Sequence, residues 1–224
     1  PKNCNIEYLK NNYLTFSDIN KNFLDGLIIT GAPLELKGFE EIDYWEELKS
    51  IMEFSKKNIK STIYICWGAL AGLYYHYKMP KRIVRDKIFG IFPHKIIEEN
   101  HKLLKGFDDE FLVPHSRYFF IEKEDINKYK DELDILSDND EIGSFLIANK
   151  DLSEIYLTGH FEYEADTLKK EYERDIVLNK NISIPQNYFD NDNTNSIPKM
   201  KWRAHCVLFF NNWVFECLRK KGEY

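Results

Sequence analysis

The chain has 224 residues and a formal net charge of −6 at pH 7, with 15% aromatic and 30% charged residues. That length and composition suit one well-packed domain and exclude an intrinsically disordered chain, while the acidic balance, without a long basic run, excludes the electrostatic footprint of a nucleic-acid binder. No apolar run reaches the roughly 18 residues needed to span a bilayer; the four cysteines, Cys4, Cys66, Cys206 and Cys217, lack CxxC or Cys/His ligand spacing, so no metal site or disulfide framework is expected and a reducing cytoplasm is.

The first element in chain order is the apolar run Leu27 to Ile29, closed by Gly31 and Pro33. A short run without alternation, bounded by turn residues, predicts a strand buried on both faces. In the following segment Ile42, Trp45, Leu48 and Met52 recur at spacings of three and four, with acidic residues early and lysines late. That order complements the helix macrodipole and predicts a helix. A strand over Ser61 to Ile65 follows, and small and apolar residues at helical spacing begin just after Cys66. Strand, helix, strand, helix implies βαβ units, hence an α/β fold with a largely parallel sheet flanked by helices.

Further strands are predicted at Glu110 to Val113, Ile142 to Ala148 and Glu154 to Thr158, the last two as a hairpin across Asn149 to Ser153. A helix is predicted from Glu164 to about Leu178, then a polar loop rich in Asn, Asp and Pro, then a closing amphipathic helix around Ala204 to Lys221. No internal repeat or linker divides the chain, so a single domain over residues 1–224 is expected.

Ligands of open α/β sheets bind beyond the carboxyl ends of the strands, where loops converge and helix N-termini point outward. Three such loops carry suggestive residues: Thr30 to Glu35, Cys66 to Ala69 and Thr158 to Glu164. Cys66 sits between a strand and a helix, the position of a nucleophile elbow, with Gly68 to relieve crowding. A buried strand-end cysteine behaving as a small hydrophobe accounts for the same spacing equally well. His160 and Glu162 are two apart, so on extended backbone the carboxylate can orient the imidazole toward a nucleophile.

The N–H groups around Gly31 and Ala32, with that of Trp67, could form an oxyanion hole, although a turn needs no such function. Glu171 and Arg174 share a helix face, either as a surface ion pair or as a clamp for the amine and carboxylate of an amino acid. Ser116, in "PHSRYF", either reaches the same cleft or belongs to a strand-ending turn. His76, His94, His101, His115 and His205 show no ligand spacing.

Six blocks in order, "DGLIITGAPLE", "FEEIDYWEEL", "STIYICWGALAGLYYHY", "LLKGFDDEFLVPHSRY", "TGHFEYEADTLKKEYERD" and "WRAHCVLFFNNW", resemble the homoserine O-acyltransferases of methionine biosynthesis, on a class I glutamine-amidotransferase-like (flavodoxin-like) fold. The resemblance runs from about Asn11 to the C-terminus. It implies transfer of an acyl group from acyl-CoA to the γ-hydroxyl of L-homoserine through an acyl-cysteine, with no permanently bound cofactor and no metal. Cys66 is then the nucleophile, His160 the general base and acid, and Glu162 its orienting carboxylate.

Lys87, Ser116 and Arg174 match the family's substrate-binding positions, with Glu171 as a companion. The residue after "TGAPL" separates donors in the family, glycine for succinyl-CoA and glutamate for acetyl-CoA, and Glu35 at that position implies acetyl-CoA as co-substrate. A homodimer is a family expectation. Phe161 stands where the family usually has proline, and the family's N-terminal βα segment has no counterpart here. The competing readings are a succinyltransferase, a glutamine amidotransferase-like hydrolase, and a catalytically silent binding protein.

Overall fold

A computed structural model describes residues 5–19, 23–178 and 180–218; Cys4, Asn179 and the end of the closing helix lie outside them. Two short helices, α1 (Ile6–Asn12) and α2 (Phe16–Ile19), lead into β1 (Leu24–Ile29). Then come α3 (Trp45–Asn58), β2 (Ile59–Ile65), α4 (Trp67–Tyr77), β3 (Arg82–Ile96) and β4 (Glu110–Phe120). The chain continues through α5 (Lys123–Asn127), β5 (Leu133–Asp138), β6 (Leu146–Asn149), β7 (Glu154–Leu157), α6 (Thr167–Val177) and α7 (Arg203–Trp213).

The strands form one sheet in the order β1-β2-β7-β6-β5-β3-β4. The pairs β1–β2 and β2–β7 are parallel. The pairs β7–β6, β6–β5, β5–β3 and β3–β4 are antiparallel. The α/β class and the helix-flanked sheet are as expected, but the sheet is mixed rather than largely parallel, because β3 to β4, β5 to β6 and β6 to β7 are joined by loops that reverse the chain rather than by crossover helices.

Two strands escape the periodicity reading. In β3, Pro93, Gly90 and five charged residues mask a strand 15 residues long; in β5 the sequence LDILSD is short and ends in polar residues. The strand expected at Ile142–Ala148 begins only at Leu146, and it does form the predicted hairpin with β7. The strand expected at Glu110–Val113 continues to Phe120. It carries Ser116 inside β4, opposite Phe89, rather than in a turn after it.

β2 and β7 are buried along nearly their whole length, as central strands covered on both faces must be. Met52 of α3, Leu73 of α4, Ile63 of β2 and Ile155 of β7 are fully enclosed. Each such side chain contributes about 1.5–3 kcal/mol by leaving water. The polar segment after α6 is mostly irregular, yet it is tied to the sheet: Gln186 pairs with Gly90, donating to Phe89 O at 2.9 Å and accepting from Ile91 N at 2.8 Å. No helix among the described residues is long and apolar enough to cross a membrane.

Candidate active site

Cys66 occupies the N-cap position of α4 with φ 52° and ψ −114°. A cysteine gains nothing locally from positive φ, and such conformations cost about 1–3 kcal/mol and cluster at functional sites. The turn is what a nucleophile elbow requires. Its tightness depends on Gly68, where an added Cβ would lie 2.6 Å from Ile29 O, and on Gly31, where one would lie 3.2 Å from Cys66 Cβ and 3.6 Å from Trp67 N. The two glycines let the turn after β1 pack directly against the turn after β2. The Trp67 side chain meanwhile goes into the core, so only its backbone N–H is a candidate for the site.

His160 and Glu162 stand on the turn after β7, not on extended backbone as their spacing suggests; His160 N donates to Pro114 O of β4 at 2.8 Å. The carboxylate nevertheless reaches the ring, with Glu162 Oε1 2.6 Å from His160 Nδ1. Burial alone would lower the His160 pKa. The charge on Cys66, a hydrogen bond to it and the Glu162 carboxylate overcome that and hold it up at about 10. The imidazole is therefore held protonated through neutral pH, between Cys66 on one side and the Glu162 carboxylate on the other.

The cleft over Cys66 has a volume of about 300 Å³ and brings together Ala32, Glu35, Lys87, Ser116, Glu171 and Arg174 with His160 and Glu162. Lys87 lies where the β3–β4 register shifts, between Ile83 and Ile88. Bulges of this kind re-aim a side chain beside an active site. Lys87 Nζ reaches Glu171 Oε2 at 3.2 Å and Asp175 Oδ2 at 3.7 Å. Glu171 also accepts from Ser116 Oγ at 2.5 Å and from Tyr163 Oη at 2.7 Å. Burial works against its charge, but these donors together with Lys87 hold its carboxyl below the usual range.

The expected surface pair of Glu171 and Arg174 does not form. Arg174 Nε instead donates to Asp175 Oδ1 at 2.9 Å, and Lys180 Nζ reaches the same oxygen at 3.0 Å. Burial opposes ionisation of Asp175, yet Arg174, Lys180 and Lys87 bring it down to about 2. Glu35, also lining the cleft, is buried. Desolvation pushes its carboxyl above the usual range, Lys87 and His160 pull the other way, and Glu171 adds to the rise.

A buried polar layer lies against the turn at Gly159 and His160. Arg117 Nε donates to His115 Nδ1 at 3.3 Å, which assigns the His115 proton to Nε2, and that atom donates to His94 Nε2 at 2.9 Å. Burial, reinforced by Arg117, holds both histidines neutral, with His94 at about 3. The same desolvation brings Arg117 down to about 10, and the Cys66 charge opposes it. No three His, Cys, Asp or Glu side chains among the described residues are arranged to hold a metal ion.

Sequence reasoning passed over Tyr163, Asp175 and Lys180. Tyr163 stacks on His160 with ring centroids 4.0 Å apart and planes at 16°. The available signal was its position three residues after His160, since a turn closed by Tyr163 N donating to His160 O at 3.3 Å places the rings over each other.

This arrangement has relatives. The family model described as homoserine O-succinyltransferase matches residues 1–223. Homoserine O-acetyltransferase 1 of Ilyobacter polytropus is 51% identical over 223 residues, covering 100% of this chain and 74% of that protein. Homoserine O-acetyltransferase of Bacillus cereus (strain AH187) is 49% identical over 213 residues, covering 95% and 70%.

Among solved structures, a glutamine amidotransferase from Thermotoga maritima superposes with a TM-score of 0.60 at 13% identity, over 86% of this chain and 78% of that one. A glutamine amido transferase from Methylobacillus flagellatus does so with a TM-score of 0.55 at 9% identity, over 91% and 99%. These two show the fold that the six sequence blocks imply, and the match over residues 1–223 shows the lineage: the chain belongs to the homoserine O-succinyltransferase family of acyltransferases.

Proposed function

We propose that this chain is a homoserine O-acetyltransferase that works by double displacement through an acetyl-Cys66 intermediate. The observation that carries the reading is Cys66, held at positive φ on a strand-to-helix turn and facing the His160–Glu162 pair. The Cys66 thiolate attacks the thioester carbonyl of acetyl-CoA. The oxyanion is met by the N–H groups of Trp67 and Ala32. As the C–S bond to CoA breaks, His160 gives its proton to the departing CoA thiolate, which leaves as the thiol.

Neutral His160 then takes the proton from the γ-hydroxyl of L-homoserine. The oxygen attacks the acetyl-cysteine carbonyl, the bond to Sγ breaks, and Cys66 departs as the thiolate beside a restored imidazolium. Arg174 has guanidinium N–H groups beyond the one given to Asp175 and receives the homoserine carboxylate. Lys87, Ser116 and Glu171, which line the same cleft, complete that subsite. A cytoplasmic setting, where thiols stay reduced, suits the free nucleophile.

The family description names a succinyltransferase and the relatives' names are acetyltransferases, so the donor turns on the cleft. Glu35 supports acetyl, because a succinyl group would bring a second carboxylate against a buried carboxyl that is already poorly solvated. Lys87 and Lys180, which line the same cleft, are already paired with Glu171 and Asp175, and the free N–H groups of Arg174 are taken by the homoserine carboxylate.

Mass spectrometry of the intact chain after mixing with each CoA ester tests both nucleophile and donor. An acetyl adduct that disappears in Cys66→Ser is expected. A succinyl adduct with no acetyl adduct would overturn the donor assignment, and an adduct that survives Cys66→Ser would overturn the nucleophile.

A further inference from the structure

The substrate-binding wall and the catalytic base are joined by one side chain. We propose that Tyr163 is a positioning residue that couples the two half-reactions, its ring holding the His160 imidazole toward Cys66 and its hydroxyl holding Glu171 in place for the acceptor. This inference rests on the acyltransferase reading above and adds to it a residue with two separable duties.

The geometry divides those duties cleanly. The ring lies flat on His160 at 4.0 Å and 16°. That contact blocks the imidazole from turning about its side-chain bonds and places a π face against a cationic ring. The hydroxyl donates to Glu171 Oε1 at 2.7 Å, and no other side chain among the described residues is seen to donate to that oxygen. The other oxygen of Glu171 carries Ser116 and Lys87. Losing the phenol therefore frees the carboxylate to rotate and loosens both.

Tyr163 is itself fixed from behind. Its carbonyl accepts from Trp202 Nε1 at 3.0 Å, and its N–H donates to His160 O at 3.3 Å. Trp202 is fully buried in the core. Tyrosine meets both requirements; phenylalanine meets only the stacking one, and leucine meets neither.

The test uses the full chain as Tyr163→Phe and Tyr163→Leu, each checked by thermal unfolding. Tyr163→Phe is expected to acylate Cys66 from acetyl-CoA within about twofold of the unmodified rate while the homoserine KM rises about tenfold, the effect of one lost hydrogen bond to a charged group. Tyr163→Leu is expected to slow acylation about tenfold as well, because the imidazole is no longer held. A Phe variant with unchanged homoserine KM, or a Leu variant with unchanged acylation, would overturn the proposal.

Iodoacetamide alkylation of Cys66 separates this outcome from a failure of the acyltransferase reading, since it reports the cysteine–histidine pair without any substrate. It is expected to slow in the Leu variant and not in the Phe variant. Equal rates in all three proteins would overturn the stacking role even if no CoA ester acylated the chain.

Discussion

Glu162 Oε1 lies 2.6 Å from His160 Nδ1, which commits that nitrogen to the carboxylate and leaves Nε2 of the same ring for Cys66. The acid–base behaviour of the site rests on this contact together with that to Cys66. The carboxylate orients the ring and supplies part of the charge that keeps it protonated.

Replacing Glu162 by Gln keeps the shape and removes the charge. The His160 pKa should fall from about 10, seen as an earlier titration of its ring protons by NMR. Acylation of Cys66 should slow by roughly 10²-fold or more, as when the orienting carboxylate of a triad is neutralised. An unchanged titration would contradict the assignment of Glu162.

The same raised pKa links stability to pH. His160 binds its proton more tightly folded than unfolded. Its contribution is therefore fully present below about 6.5 and is lost as pH rises toward about 10. Urea unfolding between about pH 6 and about pH 10 should show a decline in stability that His160→Gln flattens.

Asp175 behaves in the opposite sense. Its carboxyl is depressed from 3.8 to about 2, so its stabilisation is present above 3.8 and is lost as pH falls through about 2. Asp175→Asn should remove that acid slope and cost about 1–3 kcal/mol at neutral pH. Because Arg174 and Lys180 both lose their anchor, the homoserine KM should rise while acylation by acetyl-CoA stays near the unmodified rate.

Glu35→Gly should relax the choice of donor. If Glu35 faces the acyl group as proposed, removing this buried carboxyl from the cleft takes away both repulsion and bulk. The ratio of succinyl to acetyl adduct on Cys66 is expected to rise about tenfold or more. No change in that ratio would remove Glu35 from the specificity argument.

Gly68→Ala tests the elbow without touching a reacting group. Its Cβ would sit 2.6 Å from the Ile29 carbonyl, and backbone on both sides leaves it little room to retreat. A loss of about 1–3 kcal/mol in unfolding free energy is expected. Alkylation of Cys66 should slow with it, since the turn can reopen only by moving the cysteine.

Local order was legible in the residues themselves. The apolar run at Leu27–Ile29 marks β1, although as an edge strand with Ile28 41% exposed rather than one buried on both faces, and the three-and-four spacing of Ile42, Trp45, Leu48 and Met52 marks α3, because side-chain period follows backbone geometry directly. Cys66 between strand and helix, with Gly68 behind it, marked the elbow, and the six ordered blocks marked the family. Where periodicity is broken, as by Gly90 and Pro93 in β3, the strand went unseen, because its hydrogen bonds go to β4 and its partner cannot be read from its own residues.

The sequence by itself thus determined the α/β class, the strand-to-helix turn at Cys66 and the pairing of His160 with Glu162. Only the tertiary structure decided what each charged side chain of the cleft faces. Glu171 and Arg174 share a helix face, yet Glu171 takes Ser116, Lys87 and Tyr163 while Arg174 takes Asp175. Helical spacing says which residues lie side by side; the bulge in β3 and the turn at His160 bring in partners from 84 and 8 residues away, and the free energy of burying a carboxylate depends on those partners rather than on its neighbours in the chain.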